Sequence, residues 1–402
     1  MKILYIHQYF KTPNEPGGTR SFWFSQYLIK EGFRVTMLTS RNKQKKLVER
    51  HTIEGIDVIY IKNSYDNSFG FIKRIWSFIR FMFISTFLAF KEKDIDLVFA
   101  TSTPLTVGFP ALLLKWFKGK NYIFEVRDLW PEVPIQMGII KNSIIIHLLK
   151  YFEKKIYQNS VHIIALSPGM LEGVLKAGIK SSKLTMIPNM SKIEQFYLRP
   201  KNKYLMNKYD LSEDNFYIIH FGAMGLANGL DYILDAAKII QNMKFYNIVF
   251  LFAGKGGQED HLKSRVIKEK INNVKFLGAF NMRDMAEIVN IADCSIITFA
   301  NIPILTTNSP NKLFDSLSAQ KPVIVNSPGW TKKMVEEYNC GAYVNPENPK
   351  ELSDLLIDWY SNREKLISMG INSRKLAEKV FDKSILAKQF VNIIKEYVQK
   401  YN

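Results

Sequence analysis

Asn308-Ser-Pro-Asn-Lys-Leu-Phe-Asp-Ser-Leu-Ser-Ala-Gln-Lys-Pro-Val-Ile-Val325 is the most informative stretch of this chain. It reads as a polar loop, a short amphipathic helix and a buried strand. Residues 309–312 would form the helix N-terminus, where free N–H groups, the helix dipole and the charge of Lys312 attract an anion. Asp315 lies one turn later and would face the same ligand. This pattern suits a nucleoside diphosphate, whose phosphate would bind Lys312 and whose ribose would bind Asp315. The alternative interpretation is a surface helix with an ordinary cap.

Length and composition indicate a folded protein of two domains. The chain has 402 residues, of which 47% are hydrophobic and 23% are charged, so it can bury two sizeable cores. Cys294 and Cys340 provide neither a disulfide framework nor zinc-ligand spacing, which makes the cytosol the expected compartment. His7 and Gln8 interrupt the first apolar run too early for a signal-peptide core.

Positive charge is concentrated in the first half of the chain. The net charge is +18, and residues 1–200 contain 29 Lys and Arg against 15 Asp and Glu. A basic surface of this kind attracts anionic lipid or nucleic acid. Because the sequence contains no nucleic-acid-binding signature, we expect lipid, and not nucleic acid, as the partner.

Short apolar strands alternate with helices in both halves of the chain. Continuous apolar strands joined by helices imply parallel sheets that are covered on both faces. Strands are predicted at Lys2–His7, Arg34–Thr39, Val58–Ile61, Leu97–Ala100, Tyr122–Val126, His162–Ala165, Phe216–Phe221, Ile248–Ala253, Val274–Leu277, Ser295–Ile297, Pro322–Val325 and Ala342–Val344, and helices at Arg20–Lys30, Asp231–Gln241 and Glu259–Glu269.

The fold class that follows is α/β, with two Rossmann-like, doubly wound parallel-sheet domains facing a cleft. The carboxyl ends of the strands would supply the binding loops. We place the first domain at residues 1–195 and the second at residues 205–383. The polar stretch Ser191–Asn207 is the predicted linker, and the amphipathic helix at 384–402 is expected to pack back on the first domain.

Residues Phe71–Phe90 predict a strongly apolar helix with one narrow polar stripe, formed by Lys73, Ser77 and Arg80. Its uncharged part is too short to span a bilayer of roughly 30 Å. Two interpretations remain open. The helix lies in a membrane interface, where Lys73, Arg74 and Arg80 reach lipid headgroups, or it is buried against the first sheet.

Two glycine-rich loops follow predicted strands in matching positions of the two halves. Gly17-Gly18 would let the backbone approach a ligand closely. In the second half, Gly222 and Gly225 lie between a strand and a helix, without the spacing of the dinucleotide fingerprint. Lys255, in the next loop, either meets phosphate or is solvated.

Arg127, Asp128 and Glu132 follow a first-half strand at its carboxyl end. Arg127 can pair with phosphate through two N–H groups, and Asp128 or Glu132 can accept a hydroxyl proton; the alternative is a structural Arg–Asp pair. Asp94-Ile-Asp96 has the form of a metal-binding motif, but it precedes its strand and so lies at the wrong end. We therefore expect no metal site.

Taken together, these residues resemble glycosyltransferase family 4, of GT-B fold, and within it the bacterial transferases that assemble O-antigen or capsule polysaccharide. The resemblance covers nearly the whole chain. It is most specific at the Gly17-Gly18 loop, Arg127-Asp-Leu-Trp-Pro-Glu132, Ile187-Pro-Asn189, Phe221–Leu230 and Ser309-Pro-Asn-Lys-Leu-Phe-Asp315 running into Gln320–Ile324.

The resemblance implies a nucleotide-sugar donor in the second domain, an acceptor in the first, and retention of anomeric configuration without metal or cofactor. The residues that we assign on this basis and on the motifs above fall into three groups. They are Arg127, Asp128, Glu132 and Lys312 for catalysis; Gly17, Gly18, Asn189, Gly222, Gly225, Lys255, Phe280, Asn308, Ser309, Asn311 and Asp315 for the donor; and Lys73, Arg74 and Arg80 for the membrane.

The chain departs from the family pattern at several of these positions. Many members carry two glutamates eight positions apart, where this chain has Thr307 and Asp315. Asn308 or Ser309 is the candidate replacement for the lost sugar contact. The usual basic residues after the first strand of the second domain are also missing, and Lys312 is expected to supply that charge, together with Lys255.

The sequence therefore predicts a retaining glycosyltransferase. It would move a sugar from a UDP-sugar, N-acetylated or deoxy in the resembled group, to a lipid-linked saccharide acceptor of the polyprenyl diphosphate type. The protein would lie peripherally on the cytoplasmic face of the membrane. Two alternatives stay open. One is a UDP-sugar epimerase of GT-B fold, and the other is a basic nucleic-acid-binding protein.

Overall fold

The structure, a computed structural model, describes residues 1–65 and 69–401. Its first sheet has the strand order β3–β4–β2–β1–β5–β6–β7–β8 in the described part of the chain, and every strand pairs in parallel except β3, which is antiparallel to β4. The strands are β1 (Lys2–Ile6), β2 (Arg34–Arg41), β3 (Val48–Ile53), β4 (Ile56–Lys62), β5 (Leu97–Thr101), β6 (Tyr122–Val126), β7 (His162–Ala165) and β8 (Leu184–Met186).

The second sheet is parallel throughout, in the order β11–β10–β9–β12–β13–β14. Two parallel α/β sheets confirm the predicted fold class. The strands are β9 (Phe216–Ala223), β10 (Ile248–Lys255), β11 (Val274–Gly278), β12 (Cys294–Ile297), β13 (Val323–Val325) and β14 (Gly341–Tyr343).

Helices cover both faces of each sheet and are α1 (Arg20–Lys30), α2 (Phe71–Lys91), α3 (Gly108–Lys118), α4 (Glu132–Gln136), α5 (Ser143–Asn159), α6 (Pro168–Lys176), α7 (Lys203–Lys208), α8 (Asp231–Asn242), α9 (Glu259–Glu269), α10 (Met282–Ile291), α11 (Asn311–Ser318), α12 (Trp330–Glu337), α13 (Pro349–Ser361), α14 (Arg363–Leu376) and α15 (Lys383–Tyr401). A π-helical turn at Ala377–Phe381 joins α14 to α15.

The central strands are buried on both faces, as their continuous apolar sequences require. Side chains of β1 and β6 are fully buried apart from the first residue of β1. Each aliphatic side chain buried in this way contributes about 1.5–3 kcal/mol to folding. Apolar burial therefore holds the strand ends, and the loops that follow them, in fixed positions.

The chain crosses between the domains twice, and the two crossings pair with each other. Ser191 accepts a backbone hydrogen bond from Lys383 at 3.0 Å and donates one to Phe381 at 2.7 Å. The C-terminal helix α15 then packs on α1, where the ring of Phe390 stacks on that of Phe24 at 4.1 Å. The predicted linker Ser191–Asn207 is ordered at both ends. Its first residues are buried, and its last residues belong to α7.

Candidate active site

Residues that follow β1 and β6 form the cleft wall of the first domain. Arg127 Nη1 donates to His7 Nε2 at 3.3 Å, and His7 Nδ1 lies 2.8 Å from Ser21 Oγ. Because a guanidinium only donates, Nε2 must be the acceptor and Nδ1 must carry the proton. Burial, helped by the charge of Arg127, lowers the pKa of His7 well below its usual value. A neutral histidine therefore orients the guanidinium.

Asp128 lies beside Arg127 and lines the same cavity, which has a volume of about 250 Å³. Its Oδ2 accepts a hydrogen bond from Thr103 Oγ1 at 2.6 Å. Burial raises the pKa of Asp128, while the Thr103 hydroxyl and the Arg127 charge act against that shift. The structure thus brings Arg127 and Asp128 together at the carboxyl end of β6, as predicted.

Glu132 does not join them. It is the first residue of α4, its Oε1 accepts from Gln136 Nε2 at 2.9 Å, and its Oε2 lies 3.3 Å from Lys150 Nζ on α5. These contacts, with the Gln136 hydrogen bond first among them, lower the pKa of Glu132. Of the two predicted proton acceptors, Asp128 or Glu132, the second is therefore corrected: the Glu132 carboxylate pairs outside the cavity.

Gly17-Gly18 lies between the two domains. Gly17 has a φ of +129°, which disfavours any residue with a side chain. A Cβ on Gly18 would lie 3.0 Å from Asn311 Nδ2 of the second domain and 3.6 Å from Arg127 Nη2 of the first. The missing side chain of Gly18 therefore lets the two walls of the cleft approach each other.

The start of α11 forms the facing wall. The helix begins at Asn311, after Pro310, as the sequence predicts. Asn189 Nδ2 donates to Ser309 O at 2.5 Å, and the Asn189 N–H donates to Ser309 Oγ at 3.4 Å. Asn189, Ser309 and Asn311 line the same cavity as Arg127. Residues from both domains thus meet in one site.

Lys312 extends toward the glycine-rich loop that follows β9. Its Nζ lies 3.0 Å from Asn228 Oδ1 and 3.4 Å from His220 Nε2. Burial lowers the pKa of Lys312 to about 7, and burial together with the Lys312 charge lowers the pKa of His220. A nearby anion favours the charged form of an amine, and its arrival would therefore raise the lowered pKa of this lysine.

Asp315 does not face the ligand of Lys312, which corrects the sequence expectation. It is 3% exposed, and its Oδ1 lies 2.7 Å from the buried Nζ of Lys192. Burial raises the pKa of Asp315, and the Lys192 charge opposes that shift. The carboxylate is therefore engaged across the domain boundary and is not presented to a ribose in this structure.

The glycine-rich ends of β9 and β10 pack on each other, and so do the loops that follow them. A Cβ on Gly254 would overlap the carbonyl oxygen of Gly222, whereas a Cβ on Gly222, with a φ of +105°, would enter open space. Gly225 precedes the short 3₁₀ turn Leu226–Asn228. Lys255, the last residue of β10, is exposed. The backbone of these loops can thus be approached closely, as a phosphate requires.

Asn308 and Phe280 stay predictions. The backbone oxygen of Asn308 accepts a hydrogen bond from Trp330 Nε1 at 2.8 Å, which ties the loop before α11 to α12. The ring of Phe280 packs edge-on against that of Tyr209, with 6.1 Å between their centroids. Both contacts are structural and do not decide whether either side chain touches the donor.

The helix α2 combines features of both interpretations that the sequence left open. Its inner face packs on the first domain, where Ser77 Oγ accepts from Asn63 Nδ2 at 2.9 Å. The predicted polar stripe is therefore divided, because Ser77 is buried against the first domain while Lys73 is exposed. Arg74 Nε donates to the backbone oxygen of Phe69 at 2.8 Å. None of the helices in residues 1–65 and 69–401 is long and apolar enough to cross a membrane.

The described residues contain no group of three His, Cys, Asp or Glu side chains placed to hold a metal ion. Asp96 accepts a hydrogen bond from the backbone N–H of Lys2 at 2.6 Å, at the amino end of the sheet. The motif at residues 94–96 therefore lies away from the cleft, as its position before β5 predicts.

Several residues of the site were missed by sequence reasoning. His7 contacts Arg127, and His220 contacts Lys312. Lys192 forms an ion pair with Asp315. Both histidines interrupt or follow apolar strand residues near strand carboxyl ends, which is the signal that would have identified them. No local pattern marks Lys192, because its partner belongs to another part of the chain.

Comparison with known proteins gives the family. A model described as Glycosyltransferase Family 4 matches residues 20–194, and one described as Glycosyl transferases group 1 matches residues 202–376. WbjE of Pseudomonas aeruginosa, named a probable glycosyltransferase, is 22% identical over 267 residues, which are 65% of each chain. WcaI of Escherichia coli (strain K12), whose name assigns it to colanic acid biosynthesis, is 20% identical over 293 residues, 70% of each chain.

Among solved structures, HepE of Anabaena in complex with UDP and glucose aligns with 98% of this chain and 99% of its own, with a TM-score of 0.72 and 17% identity. At this identity the likeness concerns the fold. It agrees with the two sheets and the interdomain cleft described above.

Proposed function

The chain belongs to glycosyltransferase family 4, and from this we propose that it transfers a sugar from a UDP-sugar to a lipid-linked acceptor in bacterial surface polysaccharide biosynthesis. The match to WbjE spans just under two thirds of that relative's length. The colanic acid name of WcaI and the UDP complex of HepE support the polysaccharide and the UDP parts of the proposal.

One observation carries this proposal: a single cavity joins a guanidinium and a carboxylate of the first domain to the N-terminus of helix α11 in the second. Arg127 and Asp128 line it from one side, and Ser309 and Asn311 from the other. Lys312 lies one residue further along α11. A sugar diphosphate bound between the walls would place its phosphates at Arg127, Lys312 and the helix N-terminus.

The chemistry that suits this arrangement is substitution at the anomeric carbon. The C1–O bond to the diphosphate breaks, and its electron pair returns to the β-phosphate oxygen. Lys312, Arg127 and the start of α11 stabilise the charge that develops there. Because Asn228 and His220 already contact Lys312, and His7 already orients Arg127, little reorganisation is needed when that charge appears.

We propose that the transfer retains the anomeric configuration, as the resemblance to family 4 implies, and that it proceeds without a covalent sugar–enzyme intermediate. A double-displacement mechanism uses two carboxyl groups, one as nucleophile and one as acid and base. Among the described residues lining the cavity, Asp128 carries the only carboxylate. We therefore propose that the acceptor hydroxyl attacks C1 on the face that the diphosphate leaves, that its proton passes to the departing phosphate oxygen, and that Asp128 orients the hydroxyl.

A partition assay separates the transferase from the epimerase. The protein is incubated with radiolabelled UDP-sugars and a membrane lipid extract, and the label is followed into the organic phase. Transfer moves label to that phase, and an Arg127→Ala variant should abolish the movement. If the label instead stays in the aqueous phase and is found on a different UDP-sugar, the protein is an epimerase.

The outer surface of the first domain is the basis on which we propose a lipid-linked acceptor. The helices α2, α3 and α5 lie side by side there. The ring of Phe109 on α3 lies within 6.4 Å of Phe83 on α2 and within 6.2 Å of Phe152 on α5, measured between centroids. The outward side of these helices, which we call the apolar face, exposes Ile72, Trp76, Phe83, Phe87, Trp116, Phe117, Ile144, Leu148 and Tyr151.

Lysines accompany the apolar face. Lys91 Nζ lies 4.2 Å from the ring centroid of Phe87, and Lys155 Nζ lies 5.2 Å from that of Tyr151. Large exposed apolar surfaces rimmed by charge mark interaction sites, and basic residues beside them favour an anionic leaflet. We therefore propose that the protein binds at the cytoplasmic membrane surface.

Flotation with liposomes tests this placement. Wild-type protein should float with vesicles containing phosphatidylglycerol and much less with pure phosphatidylcholine. Replacing Trp76 and Phe87 by serine should release it, whereas serine at Ile267 and Tyr246, equally exposed on the second domain, should not. Equal flotation of all three proteins would contradict the placement.

A further inference from the structure

Arg20, the first residue of α1, carries a charge that is buried inside the first domain. The residue is 2% exposed and comes two positions after Gly18 of the cleft. Its guanidinium lies 2.9 Å from Glu125 Oε1, near the end of β6 and two positions before Arg127. Thr101 Oγ1, at the end of β5, donates a further hydrogen bond to the same carboxylate. The buried ion pair thus connects the helix that follows Gly18 to the strand that precedes Arg127.

Two more hydrogen bonds of Arg20 hold a third segment of the first domain. Nη2 donates to Ile187 O at 2.8 Å, and Nη1 donates to Pro188 O. These carbonyl groups directly precede Asn189, which lines the cleft cavity. Glu125 and Pro188 lie 105 and 168 positions after Arg20. One planar guanidinium therefore joins three segments that are distant in sequence and that all lead to residues lining the cleft cavity.

The contact with Pro188 fixes the direction of the next N–H group. The peptide bond between Pro188 and Asn189 is trans, so its C=O and N–H groups point in opposite directions. Because the oxygen faces Arg20, the Asn189 N–H points away from it, toward Ser309 Oγ at 3.4 Å. Asn189 Nδ2 donates to Ser309 O at 2.5 Å. Ser309 lies two residues before α11, so the buried guanidinium bears on how the first domain meets the start of that helix.

Stability alone does not account for a cation at this position. Burying two charges is costly, and replacing a buried ion pair by apolar residues of similar volume is often neutral or stabilising. A guanidinium is suited to a different task, because its planar fork of donors holds several oxygen atoms in fixed directions. The ammonium of a lysine does not reproduce that geometry.

From these contacts we infer that Arg20 is a positioning residue for the sugar transfer. It touches no reacting group. It holds Asn189 against Ser309, and this contact keeps the start of α11 opposite Arg127, with the diphosphate bound between them. The inference rests on the proposed function and adds to it a residue that lies outside the cleft cavity.

The test measures the transfer kinetics of Arg20→Lys, which keeps the charge but replaces the planar set of donors by a single ammonium. Its kcat should fall at least about tenfold, because small displacements of positioned groups have effects of this size. Its KM for the UDP-sugar should stay within about threefold, since every group proposed to contact the diphosphate is retained.

The loss should act through Asn189 and Ser309, which distinguishes positioning from a general structural role. A background of Asn189→Ala with Ser309→Ala lacks both side chains of the interdomain contact. Adding Arg20→Lys to that background should change kcat by less than about twofold. A general structural role would lower kcat by the same factor in both backgrounds.

Two further variants serve as controls. The guanidinium of Arg265 on α9 pairs with Asp231 and Glu269 at 2.9 and 2.7 Å, away from the cleft cavity. Arg265→Lys should therefore keep kcat within about twofold. Arg20→Met with Glu125→Leu removes both buried charges together, so that neither is left unpaired if Arg20→Lys does not fold. This apolar pair should show the same loss in kcat of at least about tenfold.

Losses in kcat that are equal in both backgrounds would overturn the inference, and so would a kcat within about twofold of the wild-type value in Arg20→Lys or in the apolar pair. A wild-type protein that transfers no sugar would refute the proposed function instead. Hydrogen exchange of the Asn189 N–H, followed by NMR, then decides the inference. Exchange at least about tenfold faster in Arg20→Lys than in the wild type supports it, and an unchanged rate overturns it.

Discussion

Replacing Lys312 by methionine tests the phosphate role most directly, since it keeps most of the length of the unbranched side chain and removes its charge. The ammonium lies 3.0 Å from Asn228 Oδ1 and 3.4 Å from His220 Nε2, next to the first turn of α11. Loss of a charge-assisted contact costs about 1.5–3 kcal/mol. UDP affinity should therefore fall roughly 10- to 100-fold.

The lowered pKa of Lys312 gives a more specific signature, which is proton uptake on binding. At a pKa of about 7, about half of the empty sites are uncharged at pH 7, and a bound diphosphate restores the charge. UDP binding should take up about 0.5 proton per site at pH 7 and about 0.9 at pH 8. Because uptake becomes harder as pH rises, affinity should weaken above pH 7.

Protonation of Lys312 favours UDP binding but opposes folding. The pKa of Lys312 is lower in the folded protein than in the unfolded chain, so charging it opposes folding. This penalty is fully present below pH 7 and disappears as pH rises toward the unfolded pKa. The Lys312→Met variant should accordingly melt no lower than the wild type at pH 6, which separates lost binding from lost folding.

Calorimetry in buffers of different ionisation enthalpy measures the uptake, as the slope of observed binding enthalpy against buffer ionisation enthalpy. Lys312→Met supplies the background from the terminal phosphate of UDP itself. Lys333→Met, at an exposed position of α12, should behave like the wild type. The same slope in the Lys312→Met and wild-type proteins, or UDP affinities within about twofold, would refute the phosphate role of Lys312.

Three further substitutions have defined outcomes. Gly18→Ala puts a Cβ 3.0 Å from Asn311 Nδ2 and should lower transfer turnover about 10- to 100-fold with an unchanged melting temperature; normal turnover would show that the cleft does not need this approach. Glu132→Gln should keep turnover within about twofold, because the carboxylate pairs outside the cavity, and a large loss in kcat would restore its catalytic assignment. Lys192→Met leaves Asp315 buried and unpaired and should cost about 3–5 kcal/mol in urea unfolding; adding Asp315→Asn should recover most of this loss, and failure to recover would mean that the pair is not the cause.

Much of the fold was predictable from local sequence patterns. The apolar runs at residues 122–126 and 162–165 became strands with the predicted bounds, and α1 and α9 coincide with the predicted helices. These elements are set by side-chain periodicity and by residues a few positions apart. The strands β3 and β8 were not predicted, because β3 is a polar edge strand and β8 has only three residues.

The candidate site was predictable wherever a residue is placed by the end of its own element. Arg127 and Asp128 follow β6, and Lys312 lies in the first turn of α11, so the sequence alone placed these three side chains at the ends of elements that border the cleft. Neither the contacts of Arg20 nor the apolar face on α3 and α5 could be recognised in this way. Both are formed by elements that become neighbours only in the folded chain.

Only the tertiary structure decided which charged groups are free. Asp315 and Glu132 carry carboxylates in positions that suit a ligand, yet Lys192 engages the first and Lys150 the second. Arg127 is held by His7, which lies 120 positions earlier. A sequence pattern specifies the direction in which a side chain leaves its own helix or strand. The pKa, the ion pair and the accessibility of that side chain depend on groups that folding brings from distant parts of the chain.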